Sequence, residues 1–176
     1  MTNTNQIPTI TTDRLRLRAF EANDLEAFSS ICSNPKVMQY IGDGKVLTKK
    51  DAWADVAYFL GHWGLRGYGV WGVELISTGE LIGRIGFINP EGWPGFELSW
   101  LLGEDYWGNG YATEGAASAL SYAFNELKQT HVISLIYPQN QASIRVAERL
   151  KQSLESETEI YAKRVLVYGI ESPSER

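Results

Sequence analysis

The sequence predicts an α+β sandwich, in which about four helices flank a mixed, mostly antiparallel sheet of roughly six or seven strands. Hairpin signals occur in the middle and at the end of the chain, and a strand–helix–strand unit lies between them, over residues 96–137. The 176 residues are 44% hydrophobic and 21% charged, which suits a sizeable core. We therefore expect one domain over residues 1–176, with a loose N-terminus at residues 1–10.

The chain is predicted to begin with one strand and two helices. Residues 14–18 alternate charged and apolar side chains, as a half-buried strand does. Residues 21–31 form a helical pattern that Asn34-Pro35 interrupts. Thr48 can cap a second helix that runs to about residue 63. The predicted inward face of this helix consists of Trp53, Val56, Ala57, Leu60 and Trp63.

Three strands follow in the middle of the chain. Residues 68–76 and 80–88 are predicted to form a hairpin, in which Gly79 can supply the positive φ of the turn. Residues 89–95 contain two prolines and two glycines and are predicted to be a loop. Residues 96–102 then form the third strand of this group.

The C-terminal part supplies the last elements of the predicted sheet. Residues 131–137 are nearly all apolar, which is typical of a buried central strand. Residues 139–150 show helical spacing, and residues 155–160 and 165–170 are expected to close the chain as a hairpin.

A glycine-rich loop joins the strand at residues 96–102 to a helix, and it is the most informative stretch of the chain. The loop and the start of the helix are Trp107-Gly108-Asn109-Gly110-Tyr111-Ala112-Thr113-Glu114. Unpaired backbone N–H groups and the positive end of the helix dipole bind phosphate at such a junction. The loop lacks the Gly-Lys-Ser/Thr of nucleoside-triphosphate loops, and Thr113 stands where a dinucleotide fingerprint needs Gly or Ala. Taken alone, Gly-x-Gly before a helix equally fits a simple turn.

Composition excludes several function classes. The net charge of −5 argues against a surface that coats nucleic acid. Cys32 is the only cysteine, so no intrachain disulfide forms, and we expect it to be a small buried hydrophobe on a helix. We expect no membrane partner, because no apolar stretch reaches about 18 residues. Because no signal peptide is recognised, we expect a cytoplasmic location. The expected oligomeric state is a monomer or a homodimer. Neither His62 nor His131 belongs to a metal-binding pattern.

Three motifs in order resemble the GNAT superfamily of N-acetyltransferases, over roughly residues 9–171. Trp107-x-x-Gly110-x-Ala112 resembles the family's phosphate loop, and Trp in its first position is common in the branch of the Rim-type ribosomal-protein N-terminal acetyltransferases. Asn140-Gln141-Ala142-Ser143-Ile144 matches the family's Asn-x-x-Ser-Ile, and Thr12-Asp13-Arg14-Leu15-Arg16-Leu17-Arg18 resembles its opening. The resemblance implies transfer of an acetyl group from acetyl-CoA to a primary amine by direct attack in a ternary complex.

The resemblance also implies how coenzyme A binds. The backbone amides of residues 108–113 would hold its pyrophosphate, and its pantetheine arm would pair with the strand backbone. In the family, a bulge makes that strand splay from the strand at residues 131–137. The implied cofactor-binding residues are Trp100, Leu101, Leu102, Trp107, Gly108, Asn109, Gly110, Tyr111, Ala112, Thr113, Asn140 and Ser143.

Two side chains are candidates for the chemistry. An alkyl amine must lose a proton before it attacks, and Glu97 is the candidate base; the alternative is an exposed strand carboxylate in a salt bridge. Ser143 is the candidate donor to the thiolate, because Ala147 occupies the position where many family members have Tyr. Alternatively, Ser143 caps its helix or binds pantetheine, and Asn140 serves only as an N-cap.

Other features leave alternatives open. Arg145 and Arg149 either meet the ribose phosphate or are simply solvated. Leu150-Lys151-Gln152 replaces the family's Leu-Gly-Phe, which puts the end of the preceding helix in doubt. Ala147 at the Tyr position and the missing Gly-Phe also suit an alternative function, a non-catalytic module that binds or senses acyl-CoA. An aromatic, mildly acidic acceptor pocket is expected to be lined by Asp43, Trp53, Trp93 and Tyr161.

Overall fold

The computed structural model describes residues 7–173 and confirms the α+β class. Within these residues an open sheet of eight strands has the order β1-β2-β3-β4-β5-β6-β8-β7. The strands are β1 Ile10–Thr11, β2 Leu15–Arg18, β3 Val70–Leu75, β4 Glu80–Ile88, β5 Glu97–Leu102, β6 His131–Ile136, β7 Ser153–Ile160 and β8 Lys163–Glu171. The helices are α1 Leu25–Cys32, α2 Pro35–Met38, α3 Lys49–Arg66, α4 Tyr111–Asn125 and α5 Gln141–Arg149. The elements beyond the predicted number are the two-residue β1 and the single-turn α2.

Helices cover both faces of the sheet. Phe28 and Cys32 of α1 pack with Phe59 of α3 against one face, where Cys32 is buried as expected and burial raises the pKa of its thiol to about 11. On the other face, α4 lies so close to β4 that a Cβ atom on Gly115 would meet Ile85 Cδ1 at 2.5 Å. No helix in the described part of the chain is long and apolar enough to cross a membrane.

The expectation of a loose N-terminus is wrong for residues 7–10, and residues 1–6 lie outside the described residues. Ile10 pairs with Leu17, and Trp71 Nε1 donates to the Pro8 carbonyl oxygen at 2.8 Å. Ile7 and Ile10 also pack against the core. These two isoleucines anchor a segment whose polar composition suggested disorder.

The predicted inward face of α3 is right at Val56 and Trp63 and wrong at its other three residues. Trp53 is 60% exposed and Leu60 is 38% exposed, and Ala57 is exposed as well. The inward stripe instead contains Ala52, Val56, Phe59 and Trp63, which are spaced by four, three and four residues. Two overlapping apolar stripes fit one helical period here, and packing against α1 and the sheet selects the one that contains Phe59.

The hairpin turns have the backbone geometry that their positions require. Gly79 has φ +74° in the turn between β3 and β4, as predicted. The β7–β8 turn is less ordinary, because Tyr161 and Ala162 adopt φ values of +51° and +56°. A two-residue turn of this kind favours Asn-Gly, so the chain holds non-glycine residues in left-handed conformations there.

The parallel strands β5 and β6 pair only at Glu97 and Ile133 and then splay apart. The Leu98 carbonyl oxygen accepts a hydrogen bond from Ser134 Oγ at 2.8 Å, and Gln152 Nε2 donates to the same hydroxyl at 3.1 Å. The bulge that the resemblance implied is absent from β5, since the β4–β5 register is unbroken over its whole length. At the start of the splay a side-chain hydroxyl therefore takes the place of a strand amide.

The end of α5 keeps the geometry of a glycine cap without a glycine. Lys151 has φ +66°, and its N–H donates to the Glu148 carbonyl oxygen at 3.0 Å. The Gln152 N–H donates to the Ala147 carbonyl oxygen at 3.0 Å, which completes a Schellman motif. The departure from Leu-Gly-Phe therefore leaves the helix end intact and directs Gln152 toward the splay.

Candidate active site

The glycine-rich loop is shaped by two left-handed glycines. Gly108 has φ +77°, and Gly110, the N-cap of α4, has φ +81°. Trp107 Nε1 donates to the Leu102 carbonyl oxygen at 2.9 Å, which ties the loop back to β5. Asn109 Nδ2 donates to the Tyr106 and Trp107 carbonyl oxygens at 3.2 and 3.1 Å. The loop is thus held from within before any ligand binds.

The loop is also clamped by the segment that joins β1 to β2, and sequence reasoning missed this clamp. Arg14 Nε donates to Glu114 Oε2 at 2.7 Å, and Arg14 Nη1 donates to the Asn109 carbonyl oxygen at 3.0 Å. Thr12 Oγ1 donates to Glu114 Oε1 at 2.6 Å. Burial opposes ionisation of Glu114, but these hydrogen bonds hold its pKa below the ordinary value. The opening Thr12-Asp13-Arg14 motif was the available signal, and its role is to position the loop.

The loop opens onto a cavity of about 630 Å³ between β5, α4 and α5. Asn109, whose side chain folds back into the loop, is the one predicted cofactor-binding residue that does not line it. The predicted residues that do line it are Trp100, Leu101, Leu102, Trp107, Gly108, Gly110, Tyr111, Ala112, Thr113, Asn140 and Ser143. Three cations also line it: Arg145 and Arg149 from α5, and Lys36 from α2, which is paired with Glu104.

The start of α4 has free hydrogen-bonding capacity that fits a phosphate. The amide of Glu114 makes the first bond of the helix, to the Gly110 carbonyl oxygen, so the preceding amides have no acceptor within the helix. Thr113 Oγ1 is buried and has no hydrogen-bond partner within residues 7–173. Donors, an orphaned hydroxyl and nearby cations together suit a pyrophosphate-bearing ligand.

A second cavity, of about 400 Å³, lies on the other side of the splay. Its walls come from the sheet (Arg84, Glu97 and Ser99), from α3 and from the surrounding loops. Asp43, Trp93 and Tyr161 line it as expected. Trp53 does not, because it points outward from α3 and is 60% exposed.

Glu97 is buried in this second cavity, not exposed in a salt bridge. It is 6% exposed and makes no ion pair within residues 7–173. Burial raises its pKa to about 7, against the lowering effects of hydrogen bonds from Trp93 and the Leu135 backbone and of the Arg84 charge. Trp93 Nε1 donates to Glu97 Oε2 at 2.6 Å. A carboxyl group with this pKa exchanges protons near neutral pH.

The two cavities meet at the splay. Trp100, Asn140 and Ser143 line both, and so do Tyr40 and Ile41. Ser143 Oγ accepts a hydrogen bond from Trp100 Nε1 at 3.2 Å, and Asn140 Oδ1 accepts from the Ser143 amide at 3.2 Å. Asn140 is therefore an N-cap as well as a wall residue, and the Ser143 hydroxyl keeps its own proton to donate. Ala147 is fully buried and offers no hydroxyl.

The loop over the second cavity is fastened to the C-terminal strands. Tyr137 OH donates to the Gly42 carbonyl oxygen at 2.6 Å. Lys163 Nζ donates to the Asp43 carbonyl oxygen at 2.7 Å. Tyr161 reaches the cavity from the left-handed β7–β8 turn. Backbone strain at a ligand-facing turn is typical of functional positions.

A family model described as an acetyltransferase (GNAT) domain matches residues 14–152. The chain belongs to the GNAT family of acetyltransferases. This GNAT chain is 35% identical to the uncharacterized N-acetyltransferase YnaD of Bacillus subtilis, over 80% of each chain. It superposes on the crystal structure of an acetyltransferase from Agrobacterium tumefaciens with a TM-score of 0.83 and 32% identity, covering 97% and 98% of the two chains.

The GNAT chain also shares its fold with a Rim-type enzyme. RimL, a ribosomal-protein acetyltransferase solved in complex with coenzyme A, matches with a TM-score of 0.77 at 19% identity. The match covers 93% of this chain and 98% of the other. Such a likeness shows the fold alone, because one fold serves many different acceptors.

Proposed function

We propose that this GNAT enzyme transfers an acetyl group from acetyl-CoA to a primary amine, on a small molecule or at a peptide N-terminus, by direct attack in a ternary complex. The observation that carries the proposal is the junction of two cavities at Trp100, Asn140 and Ser143. One cavity has phosphate-binding capacity, and the other holds a buried carboxyl group. A thioester that crosses the junction would meet an amine from the second cavity.

The first cavity has groups suited to each part of acetyl-CoA. The amides of residues 108–113 and Thr113 Oγ1 would hold the pyrophosphate, and Arg145 and Arg149 lie where they can contact a further phosphate. The backbone of Trp100, Leu101 and Leu102 faces the splay and would pair with the pantetheine amides. Acetyl-CoA supplies the activated acyl group, and the chain supplies position and proton transfer.

Glu97 would accept the proton that the amine loses as its nitrogen bonds to the acetyl carbon, either directly or through a water molecule. An alkylammonium has a pKa of about 10.4, so few substrate molecules are neutral at pH 7. A carboxylate with a raised pKa matches that task better than an ordinary one. The hydroxyl of Ser143 would donate a hydrogen bond to the sulfur as the carbon–sulfur bond breaks and so stabilise the departing thiolate, which would then take its proton from water.

Acetylation and binding measurements test this function together. Thiol release should be observed with acetyl-CoA and at least one member of a panel of small amines and N-terminal peptides. Calorimetry should show binding of coenzyme A at micromolar affinity or better, and much weaker binding of a pantetheine fragment that lacks the diphosphate. Binding without turnover across the panel would favour the alternative, a module that senses acyl-CoA. Absence of coenzyme A binding would overturn both.

A further inference from the structure

Arg84 is a charged side chain on the wall of the second cavity, and it has no role in the proposed acetyl transfer. It lies on β4 opposite Leu101, and its Nη1 donates to Ser99 Oγ at 3.1 Å. Its guanidinium lies 5.3 Å from the centre of the Phe59 ring. None of the ion pairs formed within residues 7–173 includes it.

Another partly buried arginine of this sheet is paired with carboxylates. Arg18, on the neighbouring part of the sheet, donates to Asp24 Oδ2 at 2.8 Å and to Glu74 Oε2 at 2.7 Å. Both carboxylates contact that guanidinium directly. A partly buried guanidinium is normally paired in this way, because removing its charge from water is costly. Arg84 differs from Arg18 because no carboxylate within residues 7–173 contacts its guanidinium directly.

The charge of Arg84 is attracted by neighbouring carboxyl groups that do not contact it. Asp55 and Glu97 line the same cavity, and both act on Arg84 only at longer range. Burial lowers the pKa of Arg84 and raises that of Asp55, which is what incompletely paired groups experience. An arginine keeps its charge under such conditions and has five N–H donors, so Arg84 has donors left for a ligand.

We propose that Arg84 binds a carboxylate of the acceptor, so that the substrate is a molecule with both a primary amine and a carboxylate. The proposal rests on the proposed function for the amine end. Ser99, which Arg84 contacts, follows Glu97 by two residues on the same face of β5, a distance of about 7 Å along a strand. The carboxylate would pair with the planar guanidinium through two parallel hydrogen bonds, while the amine faces Glu97.

A hydrogen bond at each end adds about 3 Å to the distance that the acceptor itself spans. An α-amino acid is therefore long enough to bridge about 7 Å between the two strand positions. A longer ω-amino acid fits, and so does a lysine-like side chain with a carboxylate at its far end. The cavity of about 400 Å³ accommodates a molecule of that size.

Matched pairs of acids and amides test the assignment without depending on turnover. Calorimetry would measure the binding of glycine, 4-aminobutanoate and 6-aminohexanoate, and of the carboxamide of each, to the protein saturated with coenzyme A. For at least one of the three acids we expect about tenfold tighter binding than for its carboxamide. In Arg84→Gln this preference should fall to about twofold or less, and Arg84→Lys should keep part of it.

Arg66→Gln is the matched control, because it removes the same charge from an exposed position that lies outside both cavities. It should keep the full preference for acids, and an equal loss in this variant would overturn the proposal. Absence of any preference for an acid over its carboxamide at millimolar concentration in the wild-type protein would overturn it as well. Thermal unfolding would establish that each variant is folded.

Acetylation assays on the same pairs separate the two proposals. If the acids bind with the expected preference and no amine is acetylated, acetyl transfer fails and the carboxylate site stands. If amines are acetylated and acids and carboxamides are equivalent in binding and in kcat/KM, the assignment of Arg84 fails and acetyl transfer stands.

Discussion

Glu97 is the residue whose surroundings most directly determine chemistry. Burial raises its pKa to about 7. We expect wild-type kcat/KM to rise with pH up to about 7, as Glu97 loses its proton. In Glu97→Gln the rate should fall by about 10²-fold at pH 7 and recover toward the amine pKa of about 10.4, where no base is needed. A pH–rate profile that matches the wild type would remove Glu97 as the base.

The same pKa provides a control for folding. Its folded value of about 7 lies above the unfolded value, so the stabilisation by Glu97 is complete at low pH and is lost as pH rises through 7. Gln keeps an acceptor for Trp93 and carries no charge. Glu97→Gln should therefore unfold at the wild-type temperature or higher at pH 8, measured by circular dichroism. A lower unfolding temperature there would contradict the assigned cause of the shift.

Gly110 tests the phosphate loop at a single position. Its φ of +81° makes any side chain costly, by about 1–2 kcal/mol. Gly67, which ends α3 at φ +74° and is remote from both cavities, incurs the same backbone cost. Gly110→Val and Gly67→Val should lose similar stability, while only Gly110→Val loses most of its coenzyme A affinity. Equal affinity in the two variants, measured by calorimetry, would show that the pyrophosphate binds elsewhere.

Elements with one strong local signal could be predicted from the sequence, and elements decided by packing could not. The β3–β4 hairpin follows from Gly79, and α4 follows from the loop glycines. The inward face of α3 depends on which of two apolar stripes packs against α1, so Trp53 was placed wrongly. The docking of residues 7–10 depends on a hydrogen bond from the distant Trp71.

The candidate site also has parts that the sequence predicts and parts that only the folded structure shows. The motif residues of the loop and of the start of α5 could be predicted to line one cavity, because their motifs resemble those of the GNAT superfamily. The clamp from Arg14 to Glu114 joins residues 100 positions apart, and nothing in a single sequence pairs them. Arg84 belongs to no motif either. It becomes notable only in the folded structure, where it contacts Ser99 but no carboxylate within residues 7–173.

The end of α5 offers a prediction about one element. Lys151 holds a left-handed conformation that glycine adopts freely. Lys151→Gly should stabilise the fold by about 1 kcal/mol, and so raise the unfolding temperature by about 2–4 °C. Lys151→Ala removes the same charge but keeps the strain, so it should bring no such gain. A gain of the same size in the alanine variant would assign the effect to charge.

The molecule as a whole is acidic, with a net charge of −5, yet its phosphate-loop cavity concentrates cations. Arg145 and Arg149 are exposed on its wall, and the dipole of α4 points into it. Local charge, not net charge, therefore determines which ligand this surface attracts. Binding there should weaken as salt rises, because exposed charges are screened within about 10 Å at 0.1 M ionic strength.

Ligand binding should stabilise the whole fold, since the cavity joins β5, α4 and α5. Coenzyme A at about 100 times its dissociation constant should add about 2.7 kcal/mol, which raises the unfolding temperature by about 5–10 °C for a chain of this size. Pantetheine at the same concentration should give a much smaller shift, because it leaves the amides of residues 108–113 and Thr113 Oγ1 without a partner. Raising the salt from about 0.05 to 0.5 M should reduce the shift with coenzyme A and leave that with pantetheine unchanged. Differential scanning fluorimetry measures both series. Equal shifts from the two ligands, or a coenzyme A shift that is indifferent to salt, would mean that the phosphates do not contact the loop and the cations around it.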